Sequence, residues 1–385
     1  MKKLYEGFIF KTIIGVVVTV LLLYISLNIF VSYNQQNNQG VTPKTIVPAQ
    51  VERYNLDLFM VGDALLHGAV NYAADTGEGY DYSGMLDSIK PILGGYDLKY
   101  YNQETILGGD YLGISSYPRF NTPQAFGDYM IDELGFNMVG LANNHALDMN
   151  EEGILNSLAY WEDKDVYLAG AHASLEDQQT LEVHTMNNIS FAFLSYTYGT
   201  NGLLPPAGKE YLVDVYDEKV LQADIQTAKS MADVVIVSMH WGIEYDHEPS
   251  AEQQELAKLM ADSGADIIIG SHPHVIQPVA WVDDTIVYYS LGNLISAQDQ
   301  LPSLIGMMGS VKITKSVIDG EVDIEISQPK ADLLYTYYSS DYTQFKVYTF
   351  DELNDDILMD HQKVYEEYSS IITAMDDNII VGNIK

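Results

Sequence analysis

The longest apolar stretch of the chain lies at its amino terminus, where Thr12 to Ser32 carries no charged residue. Ile13, Ile14, Val17, Val18, Leu21, Leu22 and Leu23 make it apolar around the whole circumference rather than along one stripe. About 20 such residues cross the hydrocarbon core of a bilayer. Lys2, Lys3 and Lys11 precede the stretch. The positive-inside rule then leaves the first residues cytoplasmic and everything after the helix outside. A cleaved signal peptide is the alternative. The long apolar region, with no convincing A-x-A site after it, favours a retained signal anchor.

Beyond the anchor, Tyr33 to Gln50 is polar with two prolines and reads as a flexible stalk. The pattern then changes to one of strands and helices in alternation. Leu56 to Asp63 alternates, then runs apolar and ends on an acid, as a first strand does. Helical spacing from Gln124 to Leu134 stops at Gly135, and a strand follows at 137–141. A helix over 152–164 precedes a short strand at 166–168, and another strand covers 188–195. Helices at 220–231 and 251–263 each lead into a continuous apolar strand, 233–239 and 265–269. Residues 285–291 are again β. This alternation predicts an α/β fold. Past residue 300, 308–314 and 321–326 flank Asp319-Gly320, a hairpin signal. The remaining tail is rich in tyrosine and acids, and its pattern decides less.

Composition then removes several classes of function. Hydrophobic residues make up 47% of the 385 positions, which argues for a packed core. Nineteen basic residues against 54 acidic ones leave a formal charge of −35, so a nucleic-acid partner is excluded. The absence of cysteine removes disulfides, thiolate metal sites and a cysteine nucleophile. Any metal must therefore sit on nitrogen and oxygen.

Polar groups gather just after the carboxyl ends of the predicted strands, the edge where α/β sheets bind ligands. Gly62-Asp63 comes first, with His67 four residues on. Asn102-Gln103-Glu104 follows Tyr100-Tyr101. Then come Asn143-Asn144-His145 with Asp148, and His240-Trp241-Gly242 with Glu244. The run 265–271 delivers His272-Pro273-His274, and Leu291-Gly292-Asn293 ends the next strand. Such a set suits two divalent ions sharing a carboxylate, which lower the pKa of a water and clamp phosphoryl-type oxygens. Manganese, zinc and iron all accept these donors. Arg53 and Arg119 are the only arginines, and Arg119, close before the Asn143 block, reads either as an anion clamp or as a surface arginine packed on Tyr117 or Phe120.

The blocks GD(63), NxE(102–104), ANNHxxD(142–148), HWG(240–242), GADxIIGSHPH(264–274) and SLGN(290–293) resemble the CapA, or PgsA, family over about 56–298. That family is associated with poly-γ-glutamate capsule synthesis and export and is similar in fold to calcineurin-like metallophosphoesterases. The resemblance implies a four-layer α-β-β-α sandwich preceded by a transmembrane helix. It implies Asp63 and His274 on a first metal, Glu104 bridging, and Asn144, His240 and His272 on a second. His145 becomes the general acid, oriented by Asp148. Arg119, Asn143, Trp241, Glu244 and Asn293 are expected to bind substrate, although Asn143 also suits a turn and Trp241 a core. Two departures stand out: Leu65 occupies the place of a usual metal-binding histidine, and Glu104 that of an aspartate.

The implied organisation is a cytoplasmic tip and anchor at 1–32, a stalk at 33–52, the CapA-like domain at 53–300 and a β-rich extension at 301–385 packing on that same domain. Its partners are the membrane, integral-membrane capsule synthase subunits, and an anionic polymer or phosphoester substrate. Three functions remain open: assembly or export of a poly-γ-glutamate polymer, metal-dependent hydrolysis of an envelope substrate, and metal-dependent polymer binding without catalysis.

Overall fold

The computed structural model describes residues 2–37 and 51–384, with side chains at 17–34 and 51–384. Met1–Gln50 and Val51–Lys385 are separate compact units. In the first, a single helix runs Lys2–Asn37, and its stretch Val17–Asn34 is long and apolar enough to cross a membrane. The helix continues past Ser32, where a stalk was expected, because glutamine and its neighbours extend an existing helix at little cost. Residues 38–50 of the expected stalk lie outside the described residues.

The second unit is built on two sheets. In the first sheet the spatial order is β14 (Phe345–Thr349), β13 (Glu321–Tyr338), β12 (Ile305–Ile318), β1 (Val51–Ala64), β2 (Leu98–Asn102), β3 (Met138–Gly140) and β4 (Tyr167–Ala169). Strands β1 to β4 are parallel, while β12 to β14 are antiparallel additions. Two short strands, β11 (Asn293–Ile295) and β15 (Ile380–Val381), pair with β1 and β13. The second sheet orders β5 (His184–Met186), β6 (Ile189–Thr197), β7 (Val234–His240), β8 (Ile267–Ser271), β10 (Thr285–Tyr288) and β9 (Val279–Val282).

Three apolar clusters define the layers. Leu56, Leu58, Met60, Leu98 and Tyr100 of the first sheet pack with Phe191, Val234, Ile236, Ile267 and Ile269 of the second. The opposite faces of the same strands bury helices. Phe59, Val61, Tyr101 and Val139 cover Val70, Leu86, Phe126, Met130 and Trp161. Ala192, Val235, Val237 and Ile268 cover Leu221, Ile225 and Ala228 of the helix Glu218–Met231, and Leu256, Ala257 and Met260 of the helix Ala251–Ser263. The result is a four-layer α-β-β-α sandwich. Strands buried on both faces must read as nearly continuous apolar runs, as 234–239 and 267–269 do.

The C-terminal part departs from expectation. The hairpin at Asp319-Gly320 (φ 53° and 91°) is present, but its strands are far longer than the alternating cores at 308–314 and 321–326. Met60 to Val51 of β1 pairs antiparallel with Gly309 to Ile318 of β12, so the segment beyond residue 300 completes the first sheet. Main-chain pairing tolerates polar side chains such as Lys312, Lys315 and Ser316, which hid the length of the strand. The expected helix after Gln124 forms at Ala125–Asp128 and then widens, Leu134 N–H bonding Tyr129 C=O, before Gly135 ends it at φ 72°.

Candidate metal centre

Strand register brings the chemistry together. In the first sheet Asp63 lies opposite Asn102 and Asn102 opposite Gly140; in the second His240 lies opposite Ser271. Each strand thus stops at nearly the same level, and the following residues turn over the edge. The first sheet supplies oxygen donors from Asp63, Glu104 and Asn144, and the second supplies His240, His272 and His274. Close strand approach makes this possible. A Cβ on Gly62 would lie 1.8 Å from Gly292 O, and one on Gly270 1.9 Å from Tyr289 O. Both histidines of the pair hold left-handed backbone, φ 96° at His272 and 58° at His274. Non-glycine residues adopt this region at a cost, and surrounding structure must hold them there.

Asp63, Glu104 and His274 offer ligand atoms all within 4.8 Å of one another. His274 Nδ1 is 3.5 Å from Asp63 Oδ2, and its Nε2 is 3.7 Å from Glu104 Oε1. On the other side of Glu104, the same Oε1 lies 3.7 Å from His240 Nε2, which is 3.1 Å from Asn144 Oδ1. His272 completes this side, its ring centroid 4.8 Å from that of His240. Its main-chain N–H donates to Asp63 Oδ2 at 3.2 Å. Glu104 therefore stands between two groups of donors, with a longer arm than aspartate would have.

The residues fit a metal. Glu104 is wholly buried, and among the described residues neither carboxylate oxygen has a hydrogen-bond partner; buried His272 Nδ1 has none either. Buried polar atoms are ordinarily paired, and a buried carboxylate needs a donor or a cation. Burial raises the Glu104 carboxyl well above its usual range, although His274 opposes the shift. Burial, then the neighbouring His272, holds His240 well below the usual histidine range, and burial pushes His272 down to about 3. Neutral imidazoles are the ligating form. Burial would depress His274 too, but the Glu104 and Asp63 carboxylates hold it up at about 9. At neutral pH the His274 ring therefore carries a proton, which a bound cation would displace.

Beside this centre is a cavity of about 500 Å³, lined by His67, Arg119, His145, Glu244, Tyr245 and His274 among others. His145 Nδ1 donates to Asp148 Oδ2 at 2.7 Å, and the same oxygen accepts Phe120 N–H at 2.6 Å. The buried carboxylate fixes the ring and its tautomer. Arg119 donates to Asp148 C=O and, at 3.2 Å, to Asn150 Oδ1. Glu244 and Tyr245 are exposed at the cavity wall.

Three expected substrate contacts are corrected. Trp241 is fully buried, donates Nε1–H to Tyr289 C=O at 2.9 Å, and packs with the helix side of the second sheet. It follows His240, so the two-residue period of an extended chain turns it to the opposite face. Asn143 is consumed by its turn: Nδ2 donates to Gln103 C=O at 2.9 Å and Oδ1 accepts His145 N–H at 3.0 Å. Asn293 lies behind His274, accepting from Nδ1 at 3.0 Å, and its Nδ2 meets Gln298 and Ser303. It braces His274 and does not line the cavity. Among the histidines outside the motifs, His172 pairs with Asp214, His184 with Glu182 and His361 with Asp355. His247 bonds Ile276 C=O through Nδ1.

Two supporting residues were not anticipated. Asn102 Nδ2 bonds Asp63 Oδ1 at 2.8 Å and lies 3.3 Å from His240 Nδ1. Ser271 Oγ lies 2.9 Å from the same nitrogen. Such outer contacts fix ligand orientation. Their signals were weak: Asn102 opens the NxE block, and Ser271 merely precedes His272.

The sequence profile of the family described as "Bacterial capsule synthesis protein PGA_cap" matches residues 57–298. The chain belongs to this family. Among curated relatives, "PGA biosynthesis protein CapA" of Bacillus subtilis is 34% identical over 177 residues, 44% of this chain and 45% of that protein. "Capsule biosynthesis protein CapA" of Bacillus anthracis is 35% identical over 173 residues, 44% of this chain and 42% of that protein. The chain thus matches less than half the length of either relative. Solved structures similar in backbone include a putative 5'-nucleotidase from Staphylococcus aureus in complex with alpha-ketoglutarate. It has a TM-score of 0.43 at 16% identity, covering 82% of this chain and 58% of that one.

Proposed function

We propose that this chain is a membrane-anchored, extracellular component of poly-γ-glutamate capsule synthesis or export, working through a dinuclear metal centre beside integral-membrane synthase subunits. The observation that carries the metal part is Glu104, buried with both oxygens unpartnered between His240 and His274. Family membership supports the capsule role, and the helix with Val17–Asn34 supports the anchor. Asp63, Glu104 and His274 would hold one divalent ion, and Glu104, Asn144, His240 and His272 the second. Divalent ions also reconcile a chain of charge −35 with an anionic polymer, which the protein alone would repel.

A second reading, metal-dependent hydrolysis of a phosphoester or related envelope bond, is favoured by the His145–Asp148 pair at the cavity. Bound ions would supply Lewis acidity and an acidified water. Asp148 holds His145 Nδ1–H, so Nε2 is the nitrogen that takes up a second proton and, from the imidazolium, gives it to a leaving group. Arg119 lies on the cavity wall to receive an anionic oxygen. Metal analysis of the full chain in detergent tests the centre. Two equivalents of manganese, zinc or iron are expected, reduced by His240→Ala and by His272→Ala; chelator-free preparations without metal would sink the reading. Hydrolysis of bis(p-nitrophenyl) phosphate separates the two functions. Turnover lost on His145→Ala supports the hydrolase, and its absence in the parent protein leaves the assembly role.

A further inference from the structure

His67 lies at the meeting of three segments that wall the cavity. Its ring packs edge-on against Phe120, centroids 5.5 Å apart, and Phe120 in turn packs edge-on against His145 at 4.8 Å. The next residue ties the same corner to the loop carrying Arg119, since Gly68 N–H donates to Ser116 Oγ at 2.8 Å. The third segment follows β11, where Ala297 N–H points at His67 Nδ1 at 3.2 Å. Leu65 C=O lies equally close to Nδ1, at 3.2 Å, but already accepts the His67 main-chain N–H at 2.9 Å.

These contacts decide the tautomer. Among the described residues Ala297 N–H has no acceptor except Nδ1, and an unpaired main-chain donor is costly. The Leu65 carbonyl has its donor without the ring. Nδ1 is therefore the acceptor, and the ring proton sits on Nε2, which has no protein partner among the described residues. Burial pushes the imidazole down to about 4, so the ring is a neutral donor.

We propose that His67 is a substrate-binding residue whose Nε2–H donates a hydrogen bond to an anionic oxygen of the ligand entering the cavity beside Arg119 and His145. The proposal rests on reading this cavity as the substrate site of the metal centre. It divides the labour of the two imidazoles on Phe120. His145, backed by Asp148, handles a proton, whereas His67, backed only by main chain, holds an oxygen.

The test uses the full chain in detergent, loaded with zinc, with two probes: inorganic phosphate and γ-glutamylglutamate. Titration calorimetry measures each affinity for the parent, His67→Phe and His67→Gln, and metal content and melting temperature are recorded alongside. The expected result is a loss of roughly tenfold or more in His67→Phe, the scale of a hydrogen bond to a charged group. Metal content should not change, and His67→Gln, which keeps an N–H at the same reach, should recover most of the affinity. The probe that weakens identifies the oxygen as phosphoryl or carboxylate. In histidine-¹⁵N-labelled protein the proton should be on Nε2. A proton on Nδ1, or equal affinities in parent and His67→Phe, would overturn the proposal alone. Parent protein that binds neither probe overturns it together with the substrate-site reading.

Discussion

Replacing Glu104 with glutamine separates the metal from the fold. The substitution keeps shape and removes one negative charge from a fully buried carboxylate whose two oxygens have no partner. Burial already disfavours the ionised form of this side chain, and Asp63 adds to the effect. Chelated Glu104→Gln should therefore melt no lower than the chelated parent. With metal the order should reverse. A ligand present at a hundred times its dissociation constant stabilises by about 2.7 kcal/mol. A folded unit of this size has an unfolding entropy of roughly 0.7 kcal/mol/K, so the parent should gain roughly 4 °C per occupied site, about 8 °C for two. Glu104 stands between both donor groups, so its loss weakens both sites, and the variant should lose most of that gain. Differential scanning fluorimetry with and without chelator gives all four melting temperatures, and metal analysis gives the stoichiometry. A variant that keeps two equivalents and the whole melting rise would refute the bridging role of Glu104.

Three further outcomes follow from the same geometry. Gly270→Ala should lower the melting temperature and the metal content together, because its Cβ would stand 1.9 Å from Tyr289 O just before His272; overpacking of this kind costs about 1–3 kcal/mol, and normal metal content would disprove the coupling. Ser250→Ala removes a capping box, Gln253 N–H to Ser250 Oγ at 3.2 Å and Ser250 N–H to Gln253 Oε1 at 2.9 Å. It should cost about 1 kcal/mol in urea midpoint with an unchanged slope. His172 gives a pH signature. Burial opposes its charge, but Asp214 at 2.7 Å and Asp177 at 3.9 Å raise it above its ordinary 6.5. The imidazolium then contributes stability that is complete below about 6.5 and is lost as pH rises through the raised folded value. The stability gap between the parent and His172→Gln should thus be wider near pH 5.5 than near pH 8.5, roughly, in paired denaturation curves; a gap that widens upward contradicts the pairing.

Much of the candidate cluster was legible because its polar side chains sit at the ends of apolar strands. Asp63, His240 and His272 each follow such a run, and parallel register then forces them to one edge. What misled was adjacency. Trp241 and Asn143 stand next to ligands in sequence, yet an extended chain sends successive side chains to opposite faces, and a turn uses its first amide internally. The same rule, applied to His240, separates Trp241 from the site without coordinates. Asn102 and Ser271 were hidden for another reason. Both act on His240 across 138 and 31 residues, and no local pattern records a contact of that range. The C-terminal strands were hidden because β12 takes its length from main-chain bonds to β1 rather than from its side chains.

The division of donors between the sheets carries a consequence for how the centre forms. The candidate oxygen donors come from the sheet holding β1 to β3, and the candidate imidazoles from the sheet holding β7 and β8. Neither sheet contains a complete set. Glu104 meets His240 and His274 only when the inner faces, Met60 and Tyr100 against Ile236 and Ile269, are packed together. On the proposed reading, metal affinity and inter-sheet packing would be linked, and a buried site of this kind would return its binding free energy as folding free energy. The unpartnered oxygens of Glu104 and the left-handed backbone at His272 and His274 both disfavour the fold in isolation. A divalent ion offsets the first directly. The second is tolerable because Asp63 accepts His272 N–H and Asn293 holds His274, placing the strain where the ligands must point.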